Sequence, residues 1–154
     1  MILSFDELDQ YRGKVAMVDG AFDPLHQGHI EYFRAASELG LPVLCNVAAD
    51  HYVKRKHRPL LPSPQRAAII DAIRYISYVH IYEIDTPTVL RQLRPRYYVK
   101  GSDWKARGLP QDHLDVCRDN GVEIVYLDTV LLIGSISAHY GNQRWWFALG
   151  AASA

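Results

Sequence analysis

Short β-rich runs alternate with amphipathic segments along most of this chain of 154 residues, and the alternation constrains its fold more than any other feature. Between the runs, apolar side chains recur at helical spacing, and glycine often marks the stop. The predicted strands are Lys14–Val18, Val43–Ala48, Tyr78–Tyr82, Tyr97–Val99 and Glu123–Leu127. The predicted helices are Gly28–Leu39, Gln65–Tyr75, Thr86–Leu93 and Asp112–Asn120. Five strands alternating with helices predict an α/β domain with a parallel sheet covered on both faces.

The length and composition are those of one globular domain, which we expect over residues 1–154. Hydrophobic residues make up 49% and charged residues 22% of the chain, which excludes a disordered or fibrous protein. Its 17 basic and 17 acidic residues give zero net charge, so no nucleic-acid binding through bulk charge is expected. Neither a membrane helix of roughly 20 residues nor a signal peptide is predicted. We therefore expect a cytoplasmic protein, with Cys45 and Cys117 as buried thiols.

Two segments do not fit the alternation of strands and helices. Asp50–Pro64 is basic and rich in proline, and Gly101–Gln111 is polar and contains glycine. Each closely follows a predicted strand. In an open α/β sheet, ligands bind in loops at the carboxyl ends of the strands. We therefore expect both segments to line a binding site.

The segment Asp19–His29, with the sequence DGAFDPLHQGH, joins the first predicted strand to the first predicted helix. A glycine-containing turn before a helix is an anion site, because free N–H groups and the helix dipole point at the ligand. His26 and His29 can face one bound group, and Gly28 lets that group approach the backbone. Histidines that only cap the helix or face solvent are the alternative. Zinc binding also fits the spacing, but no third ligand stands nearby in a recognised zinc spacing.

Phe-Asp-x-Leu followed by His-x-Gly-His after a strand resembles the signature of the cytidylyltransferase-like nucleotidyltransferases. Downstream motifs resemble, in order, the adenylyltransferase half of the ADP-heptose synthases. These motifs are Arg58-Pro59, Pro62 with Gln65-Arg66, Asp85-Thr86-Pro87, Leu93-Arg94-Pro95 and Tyr97–Trp104. The resemblance covers nearly the whole chain and implies a Rossmann-like three-layer sandwich with a five-stranded parallel sheet. Glycerol-3-phosphate cytidylyltransferases share the first motif and the Asp-Trp pair, and they are the alternative.

The resemblance implies that a sugar phosphate attacks the α-phosphorus of a nucleoside triphosphate and that pyrophosphate leaves. A phosphate monoester is mostly dianionic at neutral pH, so the site must supply positioning and positive charge rather than a base. The implied catalytic residues are His26, His29 and Lys56. Mg²⁺ is expected to arrive with the triphosphate, and no protein ligand for a metal is predicted.

The reaction favoured by the resemblance is that of heptose 1-phosphate with ATP to give ADP-heptose. A cytidylyltransferase that uses CTP with glycerol 3-phosphate or another alcohol phosphate is the first alternative. A nucleotide-binding regulatory module without turnover is the second.

The resemblance also implies which residues hold the substrates. Those expected at the nucleotide are Gly20, Ala21, Phe22, Asp23, Gly28, Arg66, Gly101, Asp103, Trp104, Ser135 and Ser137. Lys54, Lys56 and Arg58 are expected at the acceptor phosphate, although a solvated basic loop is the alternative. Because this loop is shorter than in the heptose enzymes, either Lys54 or Lys56 can be the family lysine. Asp103 can reach the ribose hydroxyls, and Trp104 offers a flat surface or, alternatively, packs in the core.

The last motif departs from the family. Gly134–Ala138 stands where the family has a Ser-Thr-Thr stretch at a helix N-terminus, so Ile136 and Ala138 replace hydroxyl residues. The arginine that cytidylyltransferases often carry before this motif is also absent, which counts against the glycerol phosphate alternative. Residues 135–154 are expected to form a helical segment whose apolar part, Trp145–Leu149, packs on the domain or on a second subunit. We expect a homodimer, since family members usually dimerise.

Overall fold

Six parallel strands form the sheet in the computed structural model, which describes residues 1–127. They are β1 (Ile2–Leu3), β2 (Ala16–Gly20), β3 (Val43–Ala48), β4 (Tyr78–Tyr82), β5 (Tyr97–Gly101) and β6 (Glu123–Leu127). Their spatial order is β1-β4-β3-β2-β5-β6, and every neighbouring pair is parallel. The predicted α/β class with a parallel sheet is confirmed.

The sheet has six strands, so the predicted number of five is wrong by one. The strand that was not predicted is β1, which has only two residues. Ile2 and Leu3 pair with β4 at one edge of the sheet. A run this short shows no hydrophobic period, so the sequence carries no signal for it. Other boundaries shift slightly: β2 begins and ends two residues later than predicted, and β5 extends to Gly101.

Helices connect the strands. They are α1 (Gln27–Ser37), α2 (Asp50–Val53), α3 (Ser63–Asp71), α4 (Thr86–Leu93), α5 (Asp103–Arg107) and α6 (Gln111–Asp119), and a 3₁₀ turn covers Leu8–Tyr11. The four longer helices correspond to the predicted ones. The short helices α2 and α5 lie in the two segments that do not fit the alternation.

The apolar core lies on both faces of the sheet, which gives the three layers of the domain. Helices α1 and α3 pack on one face around Phe33 and Ile70, and α4 and α6 pack on the other around Leu90. Strand β3 is buried at all six positions, as expected for a parallel strand covered on both sides. Cys45 and Cys117 are buried, free thiols.

Residues 1–127 include no helix that is both long and apolar enough to cross a membrane. The predicted helical segment 135–154, together with the predicted nucleotide contacts of Ser135 and Ser137, lies outside the described residues.

Candidate active site

The strand order places a ligand site at the carboxyl ends of β2 and β5. Strands β3 and β4 follow β2 in the chain and lie on one side of it in the sheet. Strands β5 and β6 come later in the chain and lie on the other side of β2. Such a reversal opens a crevice above the strand ends, where ligands bind in open α/β sheets. Both unusual segments, 50–64 and 101–111, contribute residues to this crevice.

Two adjoining chambers make up the crevice. The large chamber has a volume of about 480 Å³, and its lining includes Lys56 and His113. The small chamber, about 190 Å³, lies between the loop after β2, with Phe22, and the loop after β5, with Asp103. The residues that line both chambers are Asp19, Gly20, Ala21, Lys100 and Trp104. A separate, mostly apolar cavity of about 250 Å³ at the β1 edge contains none of the predicted site residues.

His26 and His29 cap the N-terminus of α1. The Nδ1 atom of His26 accepts a hydrogen bond from the Gly28 amide (3.1 Å), and Nδ1 of His29 accepts one from the His26 amide (3.3 Å). The two rings stack with their centroids 3.8 Å apart. Because each Nδ1 acts as an acceptor, each neutral ring carries its proton on Nε2. Capping therefore fixes the tautomers and leaves one N–H on each ring to donate to a ligand.

Both histidines have lowered pKa values. Burial and the neighbouring His26 lower the pKa of His29 from 6.5 to about 3, and burial also lowers the pKa of His26. The rings are therefore neutral at physiological pH. A neutral imidazole donates a hydrogen bond but adds no net positive charge. The charge that balances bound phosphates must come from lysine and arginine side chains.

The loop between β2 and α1 is held in shape by Phe22. This residue has a φ of 51°, in the left-handed region that few non-glycine residues adopt. Its ring meets His29 edge to face, with centroids 5.1 Å apart. The ring also covers Gly20, where a Cβ atom would lie 3.0 Å from the ring carbon Cζ. Glycine at this position therefore allows the phenyl ring to fold over the end of the strand and support His29.

Asp23 connects the loop between β2 and α1 (residues 21–26, the histidine loop) to residues 54–62 between α2 and α3 (the basic segment). Its carboxylate is 9% exposed and accepts hydrogen bonds from the backbone amides of Leu60 (2.8 Å) and Leu61 (3.2 Å). In this arrangement Asp23 positions the loop, and its contact with a nucleotide stays a prediction.

Arg66 performs a similar role from α3. The side chain is 2% exposed, and its guanidinium donates to the carbonyl of Ala21 (2.6 Å), the carbonyl of Leu61 (2.9 Å) and the carboxylate of Asp50 (2.7 Å). These three contacts join the histidine loop, the basic segment and α2. Binding of a β- or γ-phosphate by Arg66 likewise stays a prediction.

The three cations predicted to bind the acceptor phosphate are Lys54, Lys56 and Arg58, and they differ in their positions. All three side chains are exposed, but Lys56 lines the large chamber whereas Lys54 and Arg58 do not. Arg55 and His57, which the sequence analysis leaves without a role, also line this chamber. The geometry therefore favours Lys56 over Lys54 as the family lysine.

Gly101, at the end of β5, leaves room for the side chain of Asp103. A Cβ atom on Gly101 would lie 2.6 Å from Oδ1 of Asp103, so a larger residue would displace this carboxylate. Asp103 is exposed and lines the small chamber. Trp104 is half-buried: it packs against the core cluster that includes Leu90 and Val116, and it also lines both chambers. The two alternatives for Trp104 are therefore compatible.

A buried polar network forms the floor of the crevice, and no role for it is predicted from the sequence. Nζ of Lys100 donates to Oδ1 of Asp19 (2.6 Å), and the hydroxyl of Tyr98 donates to Oδ2 of Asp19 (3.0 Å). Nδ1 of His113 lies 3.2 Å from the same hydroxyl. Burial raises the pKa of Tyr98, so the hydroxyl stays protonated. The only signal for this network is that Asp19 and Lys100 occur near the ends of two strands that the topology makes neighbours.

Within residues 1–127, no three side chains of His, Cys, Asp or Glu form a group that could hold a metal ion.

Comparison with known proteins identifies relatives over most of the chain. Residues 17–138, more than half of the chain, match the family model described as cytidylyltransferase-like. The bifunctional protein HldE of Geobacter metallireducens is 32% identical over 146 residues, which cover 89% of this chain and 30% of that protein. The bifunctional protein HldE of Pelobacter propionicus is 35% identical over 124 residues, which cover 77% and 25%. The chain thus spans less than a third of the length of these relatives.

Two solved structures share the fold. The lipopolysaccharide core biosynthesis protein from Thermoplasma volcanium is 24% identical, with a TM-score of 0.64 over 74% of this chain and 95% of that one. A pantothenate synthetase from Thermus thermophilus is 15% identical, with a TM-score of 0.52 over 82% and 60%. The family match includes the histidine motif, the basic segment and the loop after β5, and the chain belongs to the cytidylyltransferase-like family of nucleotidyltransferases.

Proposed function

We propose that the protein transfers a nucleoside monophosphate from a nucleoside triphosphate to a sugar phosphate, with ATP and heptose 1-phosphate as its substrates and ADP-heptose and pyrophosphate as its products. The observation that carries this proposal is the pair of adjoining chambers, one at His29 and the other at Lys56. The resemblance of the motifs from Arg58 to Trp104 to the ADP-heptose synthases supports the choice of substrates.

In this proposal the nucleotide occupies the small chamber and the N-terminus of α1. Free backbone N–H groups of the first helical turn and Nε2–H of His29 donate to its phosphates. Gly28 is buried in this turn and lets the phosphates approach the backbone. Asp103 accepts hydrogen bonds from the ribose, and the flat ring of Trp104 packs beside the nucleoside.

The acceptor occupies the large chamber, with its phosphate near Lys56 and Arg55. An oxygen of this phosphate attacks the α-phosphorus of the nucleotide. The new oxygen–phosphorus bond forms as the bond to the bridging oxygen of pyrophosphate breaks, so the leaving group takes that electron pair. No proton needs to be removed from the dianionic acceptor. The residues of the chain therefore act through orientation and charge.

We expect Mg²⁺ to enter with the triphosphate, where it neutralises charge on the phosphates.

Four parallel assays of pyrophosphate release test the substrates: ATP and CTP, each with heptose 1-phosphate and with glycerol 3-phosphate. Groups placed for one base edge stay unpaired with another and cost about 1–3 kcal/mol each, so we expect kcat/KM to favour ATP by about tenfold or more. Reactions without acceptor are the control. Turnover only with CTP and glycerol 3-phosphate would overturn the heptose assignment. Binding of ATP without turnover of any sugar phosphate would favour the regulatory module.

A further inference from the structure

Lys100 and Asp19 form a buried ion pair at the bottom of the crevice. Their side chains are 6% and 9% exposed, and Nζ lies 2.6 Å from Oδ1. Burying two charges has a desolvation cost that their attraction offsets only when the geometry is good, and an apolar pair of similar volume is often as stable. The pair therefore calls for a functional explanation.

The ammonium of Lys100 has a hydrogen-bond donor to spare. Of its three N–H groups, one donates to Asp19 and a second reaches the hydroxyl of Tyr98 at 3.3 Å. Among the described residues 1–127, no acceptor for the third is found. Nζ lies 4.5 Å from the centre of the Trp104 ring, which lines both chambers.

The position of Lys100 coincides with the junction of the two chambers. The residues common to both linings are Asp19, Gly20, Ala21, Lys100 and Trp104. Lys100 is the one cation in this set, whereas His29 lines only the small chamber and Lys56 only the large one. A reaction between a nucleotide in one chamber and an acceptor in the other takes place where their linings meet.

We propose that Lys100 donates its free N–H to the α-phosphate of the nucleotide, at the point where the acceptor attacks, and that Asp19 positions its ammonium there. This inference rests on the nucleotidyl transfer proposed above. Oδ2 of Asp19 is already occupied by the hydroxyls of Tyr98 and Thr86, which fixes the carboxylate. A cation held in a water-poor site acts strongly on charge that develops during reaction, because no solvent has to reorganise.

A double variant and a control variant separate this role from a structural one. The single variant Lys100→Met is unsuitable, because it leaves the buried carboxylate of Asp19 without its partner and can therefore impair folding. The double variant Asp19→Asn with Lys100→Met removes both charges together. Lys105→Met, at an exposed lysine of α5, is the matched control. The measurements are the melting temperature, the affinity for α,β-methylene ATP and for adenosine by calorimetry, and pyrophosphate release.

We expect the double variant to melt near the wild-type temperature and to bind adenosine normally. It should bind α,β-methylene ATP about tenfold more weakly and release pyrophosphate about 100-fold more slowly, a loss typical of a single charge-stabilising donor. The Lys105→Met protein should match the wild type throughout. A double variant that binds the analogue and turns over within a few-fold of wild type would show that the pair is only structural and overturn the proposal.

A measurement on the unaltered protein covers the case in which the double variant does not fold. The ¹⁵Nζ resonance of Lys100 should shift when α,β-methylene ATP is added and should not shift with adenosine. An unchanged resonance at saturating analogue overturns the proposal. If the wild type binds the analogue but turns over no sugar phosphate, the proposed reaction fails while these binding tests still decide the role of Lys100. A wild-type chain that does not bind the analogue overturns both.

Discussion

Replacing His29 by glutamine should make the protein less sensitive to acid. In the folded chain, burial and the neighbouring His26 lower the pKa of His29 from 6.5 to about 3. Between these two pH values the unfolded chain binds a proton at this residue that the folded chain does not bind. The stability that this difference in pKa contributes is therefore fully present above the unfolded pKa of about 6.5, and it is lost as the pH falls toward 3.

The size of the effect follows from the same two pKa values. Each pH unit costs about 1.4 kcal/mol while the unfolded side chain is protonated and the folded one is neutral. At pH 6.5 the unfolded side chain is only half protonated, so the first part of the range contributes less. Between pH 6.5 and pH 4.5, His29 should account for a loss of about 2 kcal/mol in the free energy of unfolding.

Glutamine is the appropriate replacement because it does not titrate and keeps the helix cap. His29 is the third residue of α1, where a glutamine side chain can accept the hydrogen bond from the His26 amide. Denaturant unfolding of both proteins at pH 6.5 and pH 4.5 measures the difference. The wild type should lose about 2 kcal/mol more than the variant. Equal losses would refute a partly buried, neutral His29 and, with it, the donation from a neutral ring.

Three other predictions concern the site. Alanine at His26 or His29 should lower kcat for pyrophosphate release about 100-fold or more without changing the circular dichroism spectrum, because each lost donor to the transition state typically costs about 3–4 kcal/mol. Excess chelator should abolish pyrophosphate release, and added Mg²⁺ should restore it. Methionine at Arg66 should lower the free energy of unfolding by about 3 kcal/mol in denaturant titrations, because the change removes three hydrogen bonds and the partner of Asp50.

The contradicting outcomes differ for each of these predictions. Turnover within a few-fold of wild type in both alanine variants would remove the histidines from the chemistry. Full activity in excess chelator would rule out the metal requirement. For Arg66→Met the matched control is Arg91→Met, at an exposed arginine of α4. If both methionine variants are equally stable, the guanidinium of Arg66 does not hold the loops together.

The sheet and the longer helices could be predicted because their patterns are local. Strand β3 is covered on both faces, so it is a continuous apolar run, and its predicted bounds Val43–Ala48 match the structure. The histidine motif was also accessible, since a strand end, a glycine and a helix start follow one another directly. Strand β1 could not be predicted, because a run of two residues shows no hydrophobic periodicity.

Contacts between distant segments account for the parts of the site that could not be predicted. Lys100 and Asp19 are 81 positions apart, and only the order of the strands makes them neighbours. Asp23 and Arg66 are recognisable as motif residues, but their partners include backbone amides and carbonyls that no sequence pattern marks. The motifs predict nucleotide contacts for both side chains, which stay predictions, but they do not indicate these backbone partners.

The anchoring of the basic segment has a consequence for how substrate preference can change in evolution. Val53 is buried at one end of the segment, and Asp23 fixes Leu60 and Leu61 at the other. Doubling the length of a flexible loop costs only about 0.6 kcal/mol in closure entropy. Apart from Lys56, residues 54–59 can therefore be lengthened, shortened or exchanged at little thermodynamic cost while the histidines stay in place. New acceptor preferences can then arise by insertion or recombination within this exchangeable stretch, on a scaffold that does not have to be redesigned.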